Sequence, residues 1–405
     1  MSMVLEGIRV LDWTLWQQGP IATALLGDLG AEVIKIEDRT GGDPGRGVRR
    51  ARGLPAVLPG GRNFYFEYTN HNKKGITVDM KKEKGKEIIY RLVKKSDVFV
   101  QNFRKGVASR MNMDYETLSK YNPMLIYATA SGYGLKGPDS AKTAMDLQGL
   151  ARSGIMNTMG EPDMPPLAII GGIADQMGAI MVAYGLLAAL LARERLGIGQ
   201  EIDASHLGSM ITLQGLNVSR SLMLGKEMPR ESRVKTDNPL WNRYECKDGR
   251  WITFAHMQSD RFWPGFCEVL GRKDLEKDPR FENMDKRAQN CQELISIFDK
   301  VFATKTYDEW DRILQEKGDF IYAKIQTVDD LSSDPQAIEN EYITNFKHPV
   351  LGDLKMVGFP VRFSKTPGSI RLPAPELGEH TEQVLNEICG YSWEEIGQLR
   401  EEEVI

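Results

Sequence analysis

Asp175 is the residue of this sequence whose surroundings point most clearly to chemistry. It follows the apolar segment LAIIGGIA, which contains Gly171 and Gly172, and precedes a long apolar helical pattern from about Gln176 to Glu194. A carboxylate beside small residues can act as a nucleophile toward an activated acyl carbon, and amides near the glycine pair could stabilise the oxyanion. An Asp at a helix start is also a common N-cap. The local pattern leaves both interpretations open.

Alternating strand and helix patterns in the first half of the chain predict the elements that position this acid. The strand candidates are IRVLDWT, AEVIKIE, DVFVQNF and MLIYATASGYG, and the helix candidates among them are IATALLGDLG, EKGKEIIYRLVKKS and YETLSKY. This order predicts an α/β fold with a Rossmann-like, open, mostly parallel sheet. Asp12, Glu37, Asn102 and Gly132 fall at strand ends, where open α/β sheets bind ligands.

The composition changes in the middle of the chain. YECKDGRWITFAHM is typical of a hairpin, and the segments FWPGFCEVLG and CQELISIFDKVFATKTYDEWDRILQEKG are typical of charged helices. The end of the chain returns to mixed strands and turns, with KMVGFPVRFS as a strand candidate and EEIGQLREEEVI as a terminal helix. We therefore predict a large domain made from residues 1–221 and 328–405, and a smaller α+β domain made from residues 222–327.

The composition argues against several classes of ligand and partner. With 52 basic and 56 acidic side chains, the net charge of −4 gives no broad positive surface for nucleic acid. The glycines do not form GxGxxG after the first strand, and GxxxxGK[ST] does not occur, which argues against NAD and ATP. The four cysteines form no CxxC pair and have no neighbouring histidines, so we expect no metal site and a reducing cytoplasm. The N-terminus does not resemble a signal peptide, and the apolar run Met177–Ala192 is too short and too rich in Gly and Ala to predict a membrane span.

The whole chain resembles the family III CoA-transferases of the CaiB/BaiF type, a group that includes formyl-CoA transferase, carnitine CoA-transferase and phenyllactate CoA-transferase. The resemblance implies that Asp175 is the nucleophile of a ping-pong reaction that passes through an aspartyl-acyl anhydride and an aspartyl-CoA thioester. It also implies two ring-like protomers threaded through one another. The blocks that carry the resemblance are GIRVLDWTLWQQGPIATALLGDLGAEVIKIE, NHNKKGITVDMKKEKGKEII, DVFVQNFRKG, SGYGLKGP, IADQMGAIMVAYGLLAALLARERLGIGQEID and LGEHTEQVLNEI.

Further site residues follow from the same resemblance. Gln17 matches a loop that lines the acyl pocket, and Asp146 in TAMDLQG matches an acid near the nucleophile. Formyl-CoA transferase has an arginine directly after VIKIE, whereas this chain has Asp38 before Arg39. Formyl-CoA transferase also has a glycine-rich loop in its small domain, where this chain has VKTDNPLWNRYECKDG. The positions implied for binding coenzyme A are Gln18, Arg39, Val78, Asp79, Met80, Lys81, Asn102, Phe103, Arg104 and Arg110.

The substrates are the least determined part of the sequence-based prediction. Apolar and aromatic side chains could form a pocket for a bulky or aromatic acid, and core packing is the alternative for most of them. The resemblance favours benzylsuccinate as the acceptor and succinyl-CoA as the donor, in a homodimer or in the catalytic subunit of a heteromer. The side chains of this predicted pocket are Trp16, Tyr65, Tyr68, Met177 and Trp241.

Two other functions remain open at this stage. An α-methylacyl-CoA racemase shares the fold, but it removes the α-proton with a histidine that precedes an aspartate, and here Met145 precedes Asp146. A catalytically silent CoA-binding subunit is the second alternative, and the presence of Asp175 argues against it.

Overall fold

The structure is a computed structural model that describes residues 2–51 and 53–405. It divides into two compact units, each described by itself below. The first comprises Met1–Met156, Ala168–Lys226 and Pro335–Ile405, and the second comprises Asn157–Leu167 and Glu227–Asp334. The second unit thus includes a short segment that the sequence-based division assigned to the large domain. The reason is local, because the Arg233 amide donates to the Glu161 carboxylate at 3.0 Å.

The first unit is built on an open parallel sheet, as the sequence predicts. Its strand order is β5-β2-β1-β6-β7-β8, and each neighbouring pair is parallel. The edge strands β5 and β8 come from sequence segments that were not among the strand candidates. The strands are β1 (Arg9–Trp13), β2 (Glu32–Glu37), β5 (Lys73–Thr77), β6 (Val98–Gln101), β7 (Ile126–Ser131) and β8 (Gln200–Ser205), and the short pairs β3 (Arg50–Ala51) with β4 (Leu54–Pro55) and β12 (Ile343–His348) with β13 (Gly352–Val357) are antiparallel.

Helices cover both faces of this sheet. Because strand side chains alternate between faces, Leu11 packs into one apolar core while Val10 packs into the other, and both are fully buried. The helices of the first unit are α1 (Gln18–Asp28), α2 (Phe64–Asn70), α3 (Glu83–Val93), α4 (Val107–Arg110), α5 (Tyr115–Leu118), α6 (Asp146–Ser153), α7 (Ile173–Leu196), α8 (His206–Leu213), α9 (Gly215–Leu224), α14 (Pro335–Glu339), α15 (Thr381–Val384) and α16 (Trp393–Glu401), with a π-helical turn over Leu385–Cys389.

Helix α7 is long and apolar enough to cross a membrane by length and composition, and within the described chain it alone meets that test. In this fold it lies against α1, β7 and β8. Its buried face consists mainly of small residues such as Gly178, Ala179 and Ala183, which let the helix approach its neighbours closely. The same small residues were the reason to predict a core helix from the sequence.

The second unit has a small antiparallel sheet in the order β11-β10-β9. The hairpin predicted from YECKDGRWITFAHM is present as the β9–β10 pair. Its core is aromatic, with Tyr244 and Phe302 stacked at a centroid separation of 4.9 Å. The elements of this unit are β9 (Arg243–Glu245), β10 (Trp251–Phe254), β11 (Tyr322–Ile325), α10 (Ser259–Val269), α11 (Met284–Gln289), α12 (Cys291–Phe302) and α13 (Tyr307–Lys317).

Candidate active site

Asp175 lies in the first turn of α7 and does not cap that helix. The N-cap is Gly172, and Asp175 is the third residue that follows it. The carboxylate Oδ1 of Asp175 instead lies 2.9 Å from Nε2 of His206. Its side chain is 17% exposed, so the carboxylate is largely buried yet reachable from solvent. The local interpretation of Asp175 as a helix cap is therefore wrong.

Asp146 performs the capping of α7. Its Oδ1 accepts hydrogen bonds from the backbone amides of Ala174 at 2.7 Å and of Asp175 at 3.3 Å. Asp146 itself is the first residue of α6, so the cap comes from another helix. Burial raises the pKa of the Asp146 carboxyl, and the nearby charge of Asp175 raises it further, while the two amides lower it.

The glycine pair before α7 is required by both conformation and space. Gly171 and Gly172 have φ angles of +102° and +71°, in the region that favours glycine. A Cβ on Gly172 would lie 2.4 Å from Nε2 of Gln17. That amide nitrogen donates to the Gly172 carbonyl at 3.3 Å. The predicted catalytic residues Gln17, Asp146 and Asp175 therefore converge on the first turn of α7.

His206 completes this cluster and was missed by the sequence analysis. It is the first residue of α8, directly after β8, and Ser205 caps that helix. The ring nitrogen Nδ1 is buried without a hydrogen-bond partner among the described residues. A histidine at the carboxyl end of a parallel strand was the available signal, but the segment QEIDAS was not interpreted as a strand.

A buried charge network holds the loop that carries Gln17. The Lys35 ammonium binds Asp43 at 2.9 Å and the Thr14 carbonyl at 3.0 Å. The Asp43 carboxylate also accepts from the Trp16 amide at 3.1 Å. Trp16 has a φ of +66°, an unusual conformation for a bulky residue. These contacts fix the backbone immediately before Gln17.

The predicted CoA-binding residues after β6 border a cavity of about 220 Å³. Asn102, Phe103 and Arg104 line it, together with Lys105 and Lys142, which the sequence analysis did not select. The Asn102 amide already bonds to the Leu15 backbone, donating at 2.7 Å and accepting at 2.9 Å. Asn102 therefore holds the loop that contains Leu15, and it also borders the cavity.

The remaining predicted CoA-binding residues lie in other surroundings. Val78 and Met80 are buried in the apolar core, and Gln18 is buried with its amide 3.5 Å from the Ala204 carbonyl. The Asp79 carboxylate accepts from the Lys81 amide at 3.0 Å. Arg39 pairs with Glu403 at 3.4 Å, and Arg104 and Arg110 are exposed.

The predicted aromatic pocket is only partly assembled around Asp175. Burial raises the pKa of Tyr65, and the negative charge of Asp175 raises it further. The Tyr68 hydroxyl lies 3.1 Å from the amide nitrogen of Gln176. Met177 packs against a small core cluster of Leu150, Ala174 and Met210. Trp16 is 39% exposed, and Trp241 belongs to the second unit.

Comparison with known proteins identifies the class. The model of CoA-transferase family III matches residues 5–381, and the chain belongs to that family. It is 33% identical to (R)-2-hydroxy-4-methylpentanoate CoA-transferase of Clostridioides difficile, with 100% of both chains covered. It is 31% identical to cinnamoyl-CoA:phenyllactate CoA-transferase of Clostridium sporogenes, covering 99% of this chain and 97% of that one. The protein is therefore an enzyme of the CoA-transferase class.

Solved structures agree with this assignment. A CaiB/BaiF family protein from Brucella suis superposes with a TM-score of 0.84 at 28% identity, covering 96% of this chain and 100% of that one. A protein of M. tuberculosis superposes with a TM-score of 0.81 at 29% identity, covering 94% and 99%. The predicted α/β fold with a large, mostly parallel sheet is thus confirmed.

Proposed function

We propose that this enzyme transfers CoA between an acyl-CoA and a carboxylic acid through covalent intermediates on Asp175. The observation that carries the proposal is the arrangement at the start of α7. One oxygen of Asp175 is held by His206 at 2.9 Å, while the α7 amides of Ala174 and Asp175 are bound by Asp146. The second carboxylate oxygen of Asp175 is the atom left to attack a thioester.

The reaction proceeds in balanced steps on this carboxylate. Oδ2 of Asp175 attacks the donor acyl carbon, the C–S bond breaks, and CoA leaves as a thiolate. The thiolate attacks the aspartyl carbon and releases the donor acid, leaving an aspartyl-CoA thioester. The acceptor carboxylate then attacks that thioester, the C–S bond breaks, and CoA thiolate leaves an aspartyl-acceptor anhydride. The thiolate finally attacks the acceptor acyl carbon, the anhydride C–O bond breaks, and the new acyl-CoA and the Asp175 carboxylate are released. A carboxylate suits this cycle because both of its acyl derivatives remain reactive.

Coenzyme A is a substrate and product in this proposal, bound beside β6 and β7. The cavity there is lined by the basic side chains of Arg104, Lys105 and Lys142, which suit the phosphates of CoA. The Lys105 ammonium donates a hydrogen bond to the carbonyl of Leu135 at 2.8 Å, and both residues line the cavity. Arg110 on α4 and Arg39 after β2 are the further cations that we assign to the nucleotide end.

For the acceptor we propose a bulky or aromatic carboxylic acid. The support for this is that the names of the two relatives described above give a 4-methyl and a phenyl derivative of a hydroxy acid as substrates. Succinyl-CoA is the proposed donor, as in the succinyl-CoA:glutarate CoA-transferase of Mus musculus. This chain is 33% identical to that protein, and the match covers 96% of this chain. Benzylsuccinate stays among the candidate acceptors.

The assembly that we propose is an intertwined dimer, formed with a second copy or with a related chain. Its support is apolar surface on α9, where Leu216, Leu222 and Met223 are 88%, 78% and 83% exposed. Large apolar side chains exposed together on one helix are typical of surfaces that contact other proteins. A cytoplasmic location remains a prediction and accords with the free thiols of the four cysteines.

Trapping of the covalent intermediate tests this function. The purified enzyme is incubated with succinyl-CoA and other acyl-CoAs, quenched with hydroxylamine or borohydride, and mapped by peptide mass spectrometry. We expect modification of Asp175 only, and acceptor-dependent loss of the adduct with phenyllactate, 4-methyl-2-hydroxypentanoate, benzylsuccinate or glutarate. Adducts elsewhere, or none with any donor in the assembled oligomer, would contradict the proposal.

The racemase alternative receives one new observation from the structure. The sequence argument against it was that Met145 precedes Asp146, yet His206 from another element lies beside Asp175. Incubating a 2-methylacyl-CoA in D₂O decides between the two functions. Deuterium at the α-carbon without acid-dependent CoA transfer would support the racemase.

A further inference from the structure

We propose that His206 donates a hydrogen bond from Nε2 to the carbonyl oxygen of Asp175 in the covalent intermediates and stabilises the oxyanion formed when that carbonyl is attacked. This inference rests on the proposed function, because it assigns a role within the reaction of Asp175. It adds a catalytic residue that lies outside every motif selected from the sequence.

The contact between the two side chains is direct and sheltered. His206 Nε2 lies 2.9 Å from Asp175 Oδ1, and the histidine side chain is 6% exposed. Hydrogen bonds in such surroundings are electrostatically stronger than in water. The histidine is fixed at the β8–α8 junction, where the Leu207 amide donates to the Gly132 carbonyl at 3.1 Å.

The neighbouring helix leaves space for this ring. Gly149 of α6 lies so close that a Cβ there would be 2.8 Å from the His206 Cβ and 2.9 Å from the Ala174 Cβ. The absence of a side chain at Gly149 therefore permits α6, α7 and α8 to meet at one point. Asp146 of the same helix caps α7, so a single element sets the positions of both Asp175 and His206.

The contact with Asp175 requires a proton on Nε2 of the ring. An ionised carboxylate only accepts hydrogen bonds, so Nε2 must donate to Asp175. Nδ1 is buried with no hydrogen-bond partner among the described residues. The contact made by Nε2 is therefore the hydrogen bond that the structure gives this ring.

The chemistry follows from which oxygen of Asp175 reacts. When Oδ2 becomes the bridging oxygen of the anhydride, Oδ1 becomes the carbonyl oxygen that faces His206. The CoA thiolate then adds to the aspartyl carbon, and the C=O electron pair moves to Oδ1. The pair returns as the bond to Oδ2 breaks and the donor acid leaves. Attack of the acceptor carboxylate on the thioester places the same charge on Oδ1, so one N–H serves both steps.

Two substitutions of His206 distinguish a role as hydrogen-bond donor from a role in proton transfer. His206→Gln places an amide N–H near the position of Nε2 and cannot act as a base, whereas His206→Leu removes the donor. We expect kcat/KM to fall about 10²–10³-fold in His206→Leu and to stay within about tenfold of the wild type in His206→Gln. In a single turnover, the rate at which CoA becomes attached to Asp175 should fall by the same factor in His206→Leu.

The outcomes distinguish this inference from the proposed function. Full activity of a folded His206→Leu, with an adduct on Asp175 in the wild type, would overturn the inference alone. Equal loss in the Gln and Leu variants would also overturn it, since it would show that imidazole rather than a donor is needed. Absence of any adduct on Asp175 in the wild type would overturn both.

A measurement on the unmodified protein covers the case in which the variants fail to fold. The chain has five histidines, so ¹⁵N-histidine labelling gives a resolvable spectrum of imidazole nitrogens. We expect His206 to carry a proton on Nε2. An unprotonated Nε2, with the proton on Nδ1 alone, would contradict the proposed role.

Discussion

Asp12 and Asp175, both in the first unit, belong to charged groups whose hydrogen bonds are satisfied to different degrees. The Asp12 group lies on the strands, where the carboxylate of Asp12 accepts from Thr14, Thr23 and Lys73. The Asp175 group lies at the start of α7, where the carboxylate of Asp175 has His206 on one oxygen. Complete pairing of Asp12 stabilises the fold, whereas the second oxygen of Asp175 is the atom that we propose for chemistry.

The Asp12 group behaves as a closed structural network. Burial opposes ionisation of Asp12, but the charges of Lys73 and Lys35 lower its pKa to about 2. Burial lowers the pKa of Lys73 to about 8, against the effect of Asp12. The Lys73 ammonium also donates to the Pro20 carbonyl at 2.7 Å and to the Asn70 side chain at 2.9 Å. Its hydrogen-bonding capacity is thus fully used.

The two groups are connected through the loop after β1. Lys35, which also lowers the pKa of Asp12, binds the Thr14 carbonyl and Asp43. Gln17 follows this loop and reaches the Gly172 carbonyl. The satisfied network therefore holds the scaffold on which the unsatisfied group is assembled.

The largest expected effect separates activity from stability at Asp175. Asp175→Asn removes the proposed nucleophile, so transfer activity should fall at least about 10⁴-fold. Because Asp175 does not cap α7, the free energy of unfolding should change by less than about 1 kcal/mol. A coupled CoA-transfer assay measures the activity, and urea unfolding measures the free energy of unfolding.

A matched variant controls for the loss of a charge at a helix start. Asp285 lies in the first turn of α11 in the second unit and is exposed. Asp285→Asn should leave transfer activity unchanged. Activity of Asp175→Asn close to that of Asp285→Asn would contradict the nucleophile assignment.

At Asp12, in contrast to Asp175, we expect a substitution to cause a large loss of stability. Asp12→Asn leaves the Lys73 ammonium buried without its counter-charge, which should lower the free energy of unfolding by about 3–5 kcal/mol. Adding Lys73→Met should recover part of this loss, because the unpaired charge is then absent. As a control, breaking the exposed Arg91–Glu87 pair with Glu87→Gln should cost under about 0.5 kcal/mol. A cost at Asp12 no larger than this would refute the distinction between the two groups.

Gly172 tests the contact that joins the groups. Gly172→Ala adds a Cβ 2.4 Å from Gln17 at a φ of +71°, so Gln17 must move. We expect a loss of about 1–2 kcal/mol of stability and up to about 10²-fold in kcat/KM from misplacement of the site.

Gly225 gives the control for the backbone conformation alone. It has a φ of +61° and open space at the Cβ position within the described structure. Gly225→Ala should share the loss of stability and retain activity. If both variants keep full activity, the position of Gln17 does not matter for transfer.

The smallest expected effects concern the cap of α7. Asp146→Ala removes the acceptor of two α7 amides and should cost about 0.5–2 kcal/mol, whereas Asp146→Asn keeps an acceptor. The folded state raises the pKa of Asp146 above its unfolded value, so the folded state binds this proton more readily. Lowering the pH from 7 should therefore stabilise the wild type relative to Asp146→Asn, as measured by urea unfolding across pH. A relative loss of stability on acidification would contradict that pKa direction.

The sequence predicted much of the sheet, and its omissions have physical reasons. Both faces of β1, β2, β6 and β7 are buried, so these strands are rich in apolar residues, and the charged Asp12, Lys35 and Glu37 within β1 and β2 are themselves buried. KKGIT and QEIDAS form the edge strands β5 and β8, where polar residues dilute the apolar pattern. Missing β8 also meant missing His206 at its end.

By itself the sequence determined the alternation of strands and helices and the small residues of α7, and its resemblance led to the proposal that Asp175 is the nucleophile. Only the tertiary structure decided which side chain caps α7 and which one binds Asp175. His206 lies 31 residues from Asp175, and Gln17 lies 155 residues from Gly172. Contacts between residues so far apart in sequence depend on strand order and on how closely helices approach at glycines. A local sequence pattern specifies neither.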